Sequence, residues 1–379
     1  MAEIQRAINL ATEFVRGGRV IIDGLDGPVV VEGWERDEVS LAATKRVNAG
    51  SEADAERALA DMETAFRRSG NELTISVTGN RGRYGYGETW VDCYIRIPAE
   101  SDLYVDTSAG SVDVRGVTGR IRLDTGSGSA TLRQCGGDIV VDTGSGAVVA
   151  EEINGDLNID VGGGSITVTG VSGTLYADSG GGEVNIKRVG GKLTVDGGNS
   201  VHVADTASDI VIEAGDSVRA TGCRGGFAHI DAGNRVEAEF AVRPGGRYTI
   251  EAGGEARVSV PAAANLEIKG EAASFKYELP LKIQRLEDGE FEATLNGRGA
   301  RLNIDCGGRF ILLESGLAPE TAAEPAAEPA AEAAPATGGA PVDEAGLEFH
   351  TIIQMVADRK ITPEEADELL KALGRPSDA

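Results

Sequence analysis

The sequence predicts an all-β protein: a β-solenoid of ~18-residue coils with one inserted helix, followed by a linker and a small C-terminal helical hairpin. Three observations carry that prediction. Between residues 103 and 192 the chain falls into five gapless blocks of eighteen: LYVDTSAGSVDVRGVTGR, IRLDTGSGSATLRQCGGD, IVVDTGSGAVVAEEINGD, LNIDVGGGSITVTGVSGT and LYADSGGGEVNIKRVGGK. Within each block apolar residues alternate in two short runs, as with Leu157, Ile159, Ile166, Val168 and Val171, which is the period of strands that send every second side chain inward. The composition, 53 Gly against 12 Pro with 4% aromatics, is that of short apolar segments punctuated by glycine turns. One such coil cannot bury its apolar face alone, so the array must stack into one cooperative unit.

Residues 1–102 read as strands and a helix capping the array. RVIIDGLDGPVVVEGWERDEVSLAATKRV, from 19, alternates apolar runs with DG turns, and 71–98 returns to strand patterning. SEADAERALADMETAFRRS, 51–69, carries apolar residues at helical spacing with Ser51 as N-cap, so a helix is expected there. RGRYGYGETW, 81–90, combines arginines and aromatics on a Gly-rich loop and reads as an exposed hairpin tip packing its rings onto the end of the array. The repeats occupy 103–316: shorter units begin at 193 and 210, and the element returns as LNIDCGGRF from 302. Residues 317–346 are Pro-Ala-Glu rich and have no core-forming pattern, as expected of an extended disordered linker. Residues 347–375 switch to a 3.6-residue period, and Thr362, Pro363 and Glu365 make a capping box for the second helix of a hairpin. So small a hairpin buries little surface, which points to docking on a protein partner or to self-association.

The DTGS tetrapeptides resemble the catalytic loop of pepsin-like aspartic proteases. That chemistry needs two carboxylates from separate lobes facing each other and sharing a proton. Here Asp106, Asp124, Asp142, Asp160, Asp178 and Asp196 occupy one slot of successive repeats, and in a stacked array they form a ladder with rungs about 4.8 Å apart. No catalytic residues are therefore assigned. The expected structural role of the slot is an Asp side chain accepting turn N–H groups while Gly supplies positive φ. Stacked like charges cost on the order of 1 kcal/mol per neighbouring pair. A cation would relieve that cost, so the six aspartates are also the candidate calcium ladder, although calcium β-rolls place Gly before Asp at half this period. No other cofactor is expected.

The net charge of −25 disfavours nucleic acid and anionic lipid. Cys93, Cys135, Cys223 and Cys306 are scattered without metal-ligand spacing and read as small core residues. No stretch has the length and hydropathy of a membrane span and the opening residues lack a signal pattern, so the expected compartment is the cytoplasm. His202 and His229 stand singly at outward positions, and His350 lies in the hairpin.

GPVVVEGWERDEVSLAATKRV, the helix that follows, VDCYIRIP and the Gly-rich repeats resemble the bacterial adhesin-like β-strand-repeat family over roughly residues 18–314. The segment IIQMVADRKITPEEADELLKAL resembles the SHOCT-like hairpins that accompany such repeats, with Arg359 in place of the usual turn glycine. The resemblance implies a β-solenoid without known enzymatic activity, associated with envelope stress or surface display. Together these readings favour a noncatalytic scaffold with a tethered docking or oligomerisation module. A calcium-dependent surface adhesin is the alternative, and a polysaccharide-active β-helix enzyme stands third because the strict coils lack groove-walling insertions.

Overall fold

The computed structural model describes residues 2–78 and 88–318, all within one compact unit. These residues form a nearly all-β, solenoid-like array, a single connected sheet of 29 strands with one helix. Each repeat contributes two strands. The first ladder runs in parallel through Arg19–Asp26, Asp102–Ala109, Ile121–Thr125, Ile139–Thr143, Leu157–Val161, Leu175–Ser179 and Leu193–Gly197. The second runs through Val29–Trp34, Val112–Arg115, Ala130–Arg133, Val148–Ile153, Ile166–Val171 and Val184–Val189. Register matches the sequence blocks: Ile121 opposes Leu103 and Ile139, and Leu157 opposes Ile139 and Leu175. Strands alternate buried and exposed residues, so columns such as Leu123, Val141 and Ile159 form the core between the ladders.

Two further repeats escaped the sequence reading. Phe227–Ala232 with Arg235–Phe240, and Arg247–Ala252 with Glu255–Val260, continue both ladders in register. The first keeps the eighteen-residue offset from Ile210 to Ala228 but the second shifts by twenty, from Phe227 to Arg247, and Ala228, Ala238 and Ala256 stand at inward positions that carry larger apolar residues in most earlier repeats. The last strand, Ala300–Glu314, joins the ladders, because residues 301–306 pair with Arg247–Ala252 and residues 309–314 with Glu255–Val260.

Both ends turn antiparallel. At the start, Ala2–Glu13 pairs with Glu38–Ala49, which pairs with Glu88–Pro98, while Glu63–Ser69 folds back on Glu72–Thr78. At the finish, Leu266–Tyr277, Glu290–Leu295 and Lys282–Glu287 make a meander over the last strand. Phe275, Phe291 and Phe310 stack beneath it with centroids 4.6–5.4 Å apart. Such closures limit the open rows of N–H and C=O groups that a repeat array presents at its ends.

The helix is shorter than expected. It spans Glu52–Asp61, and Ser51 caps it by accepting the Asp54 amide at 3.2 Å. Residues 63–69, read as its continuation, are a strand, because Phe66 and Ala65 pair with Ile75 and Ser76 across a turn at Gly70. That cross-strand ladder outweighs the intrinsic helix preference of ETAFRRS. The opening strand Ala2–Glu13 had no counterpart in the sequence reading. Residues 81–87 of the arginine–aromatic loop, the linker beyond 318 and the hairpin at 347–375 lie outside the described residues.

Candidate functional site

The six predicted aspartates do form one row. Asp106 opposes Asp124, and the pairing continues through Asp142, Asp160, Asp178 and Asp196. The row is longer than the sequence reading gave. Before it stands Asp23, and after it come Glu213, Asp231, Glu251, Asp305 and Glu271, each opposite the last. The DTG signature hid these members, since Glu213 and Glu251 sit in IEAG contexts and Asp305 is reached only after the inserted meander. The six predicted members sit at the outward phase of their strands, because the residues on both sides of each are buried, as Leu123 and Thr125 are around Asp124.

The turn chemistry differs from expectation. The hydroxyl after the aspartate does the work: Gly128 N–H donates to Thr125 Oγ1, Gly146 N–H to Thr143 Oγ1 and Gly182 N–H to Ser179 Oγ, each at 3.1 Å. Thr125 and Thr143 donate in turn to the Gly128 carbonyl at 2.8 and 3.1 Å, stitching adjacent rungs. These side chains are buried and the aspartates point away, which follows from the two-residue period of a strand. Glycine serves spacing rather than left-handed backbone. None of Gly126, Gly128, Gly144, Gly146, Gly162 or Gly164 has positive φ. A Cβ on Gly128, Gly146, Gly164 or Gly182 would sit 1.7–2.0 Å from the carbonyl oxygen of the rung before it.

The acidic row is electrostatically bare. Among the described residues none of its members forms an ion pair, whereas the second ladder is laced with them: Arg133 reaches Asp113 at 3.3 Å and Glu151 at 3.0 Å, and Arg219 reaches Glu237 at 2.8 Å. Partial burial raises the Asp106 carboxyl above its ordinary value, and Asp124 and Asp23 add to the shift. Asp178 is raised in the same way, first by burial and then by Asp196 and Asp160. Tyr176, exposed beside Asp178, is raised by burial and by the same row.

As a calcium site the row fits poorly. Calcium takes six to eight oxygens converging on one point. Here each rung supplies one carboxylate, and among the described residues no three His, Cys, Asp or Glu side chains converge in a metal-holding group. A protease dyad is equally unformed, since the carboxylates follow one strand edge rather than two facing loops.

The other residues singled out are placed as follows. His202 is exposed, with Nδ1 3.0 Å from Glu183 and 3.3 Å from Asn185; His229 is half-buried on the first ladder. All four cysteines are buried free thiols, and burial pushes Cys93 and Cys223 up to about 12, so they behave as core residues. No helix among the described residues is long and apolar enough to cross a membrane.

No family model and no curated protein matches the chain. Solved structures similar to it include the following two. One is a "putative adhesin" from Bacteroides fragilis NCTC 9343, at 10% identity and TM-score 0.31, covering 82% of this chain and 97% of that one. The other is a "putative cell adhesion protein" from Clostridium sporogenes ATCC 15579, at 11% identity and TM-score 0.16, covering 82% and 99%. Similarity at these scores is too low to transfer a fold or a function.

Proposed function

We propose that this chain is a noncatalytic interaction protein, a β-solenoid scaffold that presents its acidic row to a basic surface on a protein partner. The unbroken row of carboxylates on the outward side of the first ladder, without an ion pair among the described residues, carries this reading. Its local structural duty is discharged by Thr125, Thr143 and Ser179, so the repeated aspartates are left with an outward role. Carboxylates repeating every ~4.8 Å suit an extended cationic partner, whose association a concentrated negative potential would accelerate. In the same reading the hairpin of residues 347–375 docks a partner or a second copy, and the chain works without a catalytic centre. The compartment is the cytoplasm, with surface display as the alternative that family resemblance suggests; protease accessibility of the tagged protein in intact against lysed cells separates the two.

Titrating the full chain with a lysine-rich peptide tests the reading. The expected result is salt-sensitive binding that a variant carrying Asp124→Asn, Asp142→Asn and Asp160→Asn loses, while Glu151→Gln on the second ladder keeps it. Equal binding by the row variant and the parent would contradict the proposal.

A further inference from the structure

At the start of the first ladder the row structure changes. The outward residues that open successive strands are Arg19, Asp102, Arg120 and Asp138 on neighbouring rungs, and beside them Tyr104 opposes Arg122. These six side chains line a cleft of about 370 Å³ on the same face as the acidic row. The alternating Arg and Asp column has an ordinary explanation, since opposite charges on neighbouring rungs help strands stack. That explanation leaves several groups unused.

Arg120 Nε lies 3.8 Å from Asp102, and Arg19 Nη1 lies 3.9 Å from Glu72, both beyond hydrogen-bond distance, so these guanidinium N–H groups keep their donor capacity. Arg122 belongs to no alternating column: it forms no ion pair and no side-chain hydrogen bond among the described residues. It is the only arginine in a row that continues through Val140, Asn158, Tyr176 and Thr194. Asp102 spends Oδ1 on the Arg120 amide at 2.9 Å, while its Oδ2, 3.8 Å from Arg120 Nε, accepts no hydrogen bond among the described residues. The Asp138 carboxylate accepts no hydrogen bond among the described residues. The cleft thus gathers guanidinium donors, carboxylate acceptors and one aromatic ring.

We propose that this cleft binds a sugar unit bearing a single carboxylate, with Arg122 and Arg120 holding the carboxylate, Asp102 and Asp138 accepting hydrogen bonds from ring hydroxyls, and Tyr104 lying against the apolar face of the ring. Guanidinium groups bind carboxylates through paired N–H donors, a geometry that fixes orientation as well as charge. Sugar hydroxyls need acceptors as well as donors, which a plain anion site lacks and this cleft supplies. The limit of one negative charge follows from the setting. The chain carries −25 and Asp106 and Asp124 stand two residues along the same strands as Tyr104 and Arg122, so polyanions are repelled. This site is separate from the basic-partner reading and stands or falls independently of it.

The test is a titration of the full chain with D-glucuronate, read by calorimetry or by chemical-shift changes. Saturable binding with Kd on the order of 1 mM is expected, with D-glucose and acetate each about tenfold weaker. Arg122→Gln and Tyr104→Ala, at solvent-facing positions, are each expected to weaken glucuronate binding about tenfold while leaving the melting temperature unchanged. A short oligogalacturonide, which carries a carboxylate on every unit, is expected to bind more weakly than the monosaccharide, and tighter binding contradicts the limit of one negative charge. Absence of saturation, acetate binding as well as glucuronate, or full binding by Arg122→Gln overturns the proposal.

Discussion

At the residue scale, the repeated Asp-Thr-Gly-Ser divides its labour by strand phase. Asp faces out, Thr faces in, and the glycines let one rung lie against the next. The outward carboxylates are held close together, and for Asp106 and Asp178 partial burial and like-charged neighbours raise the folded-state pKa above the ordinary 3.8. The folded protein therefore binds these two protons more tightly than the unfolded chain does. Their repulsion penalises folding fully at neutral pH; it is relieved as pH falls through the raised folded-state values and is gone below 3.8. Asp178→Asn is accordingly expected to exceed the parent in urea midpoint at pH 7 and to lose that advantage by about pH 3, the two curves converging as acid is added. A constant gap across the range would show that the row is not under charge strain.

At the element scale, the corners are as constrained as the strands. Gly146→Ala would drive a Cβ to 1.8 Å from the Gly128 carbonyl oxygen, and the rungs must part to admit it, at a cost of about 3 kcal/mol. The opposite corner carries a column of left-handed residues: Gly116, Gln134, Glu152, Gly170, Arg188, Asp205 and Gly222 all have positive φ between 53° and 81°. Non-glycine residues there are strained by about 1 kcal/mol each, so Gln134→Gly should raise the thermal midpoint, whereas Gly170→Ala should lower it.

Much of this was legible in the sequence. The eighteen-residue period, the strand phase and six consecutive aspartates of the row, Asp106 to Asp196, follow from the spacing of Leu157, Ile159 and their equivalents. Three things were not legible. The turn hydrogen bond was assigned to Asp because Asp and Thr both cap turns, and only burial distinguishes them. The rungs after 223 were masked by alanines and altered corner lengths. Residues 63–69 became a strand because their partner at 72–78 decided it, which local periodicity does not record. The arginine–tyrosine cleft was invisible for a similar reason, since Arg19 and Arg122 line one cleft only when strand Arg19–Asp26 joins the ladder beside Asp102–Ala109.

At the scale of the whole molecule, the array has two differently charged outer surfaces. The second ladder pairs its charges across rungs, and exposed pairs of that kind contribute at most about 1 kcal/mol each. The first ladder leaves its acidic row unneutralised from Asp23 to Glu271, and added salt should stabilise the protein by screening it, with about a 3 Å screening length at 1 M. A face kept charged at a cost to stability, while the turns beneath it are held by other residues, is the basis for reading it as an interaction surface.

The central claim is that the aspartates serve the surface and the threonines serve the fold. Urea unfolding of the triple variant Asp124→Asn, Asp142→Asn, Asp160→Asn beside Thr143→Val tests it most directly. The account predicts that the triple variant unfolds at an equal or higher midpoint than the parent, while Thr143→Val, which strands the Gly146 amide, loses about 1–3 kcal/mol. A triple variant clearly less stable than the parent, with Thr143→Val unchanged, would contradict it and return the aspartates to a structural role in the turn.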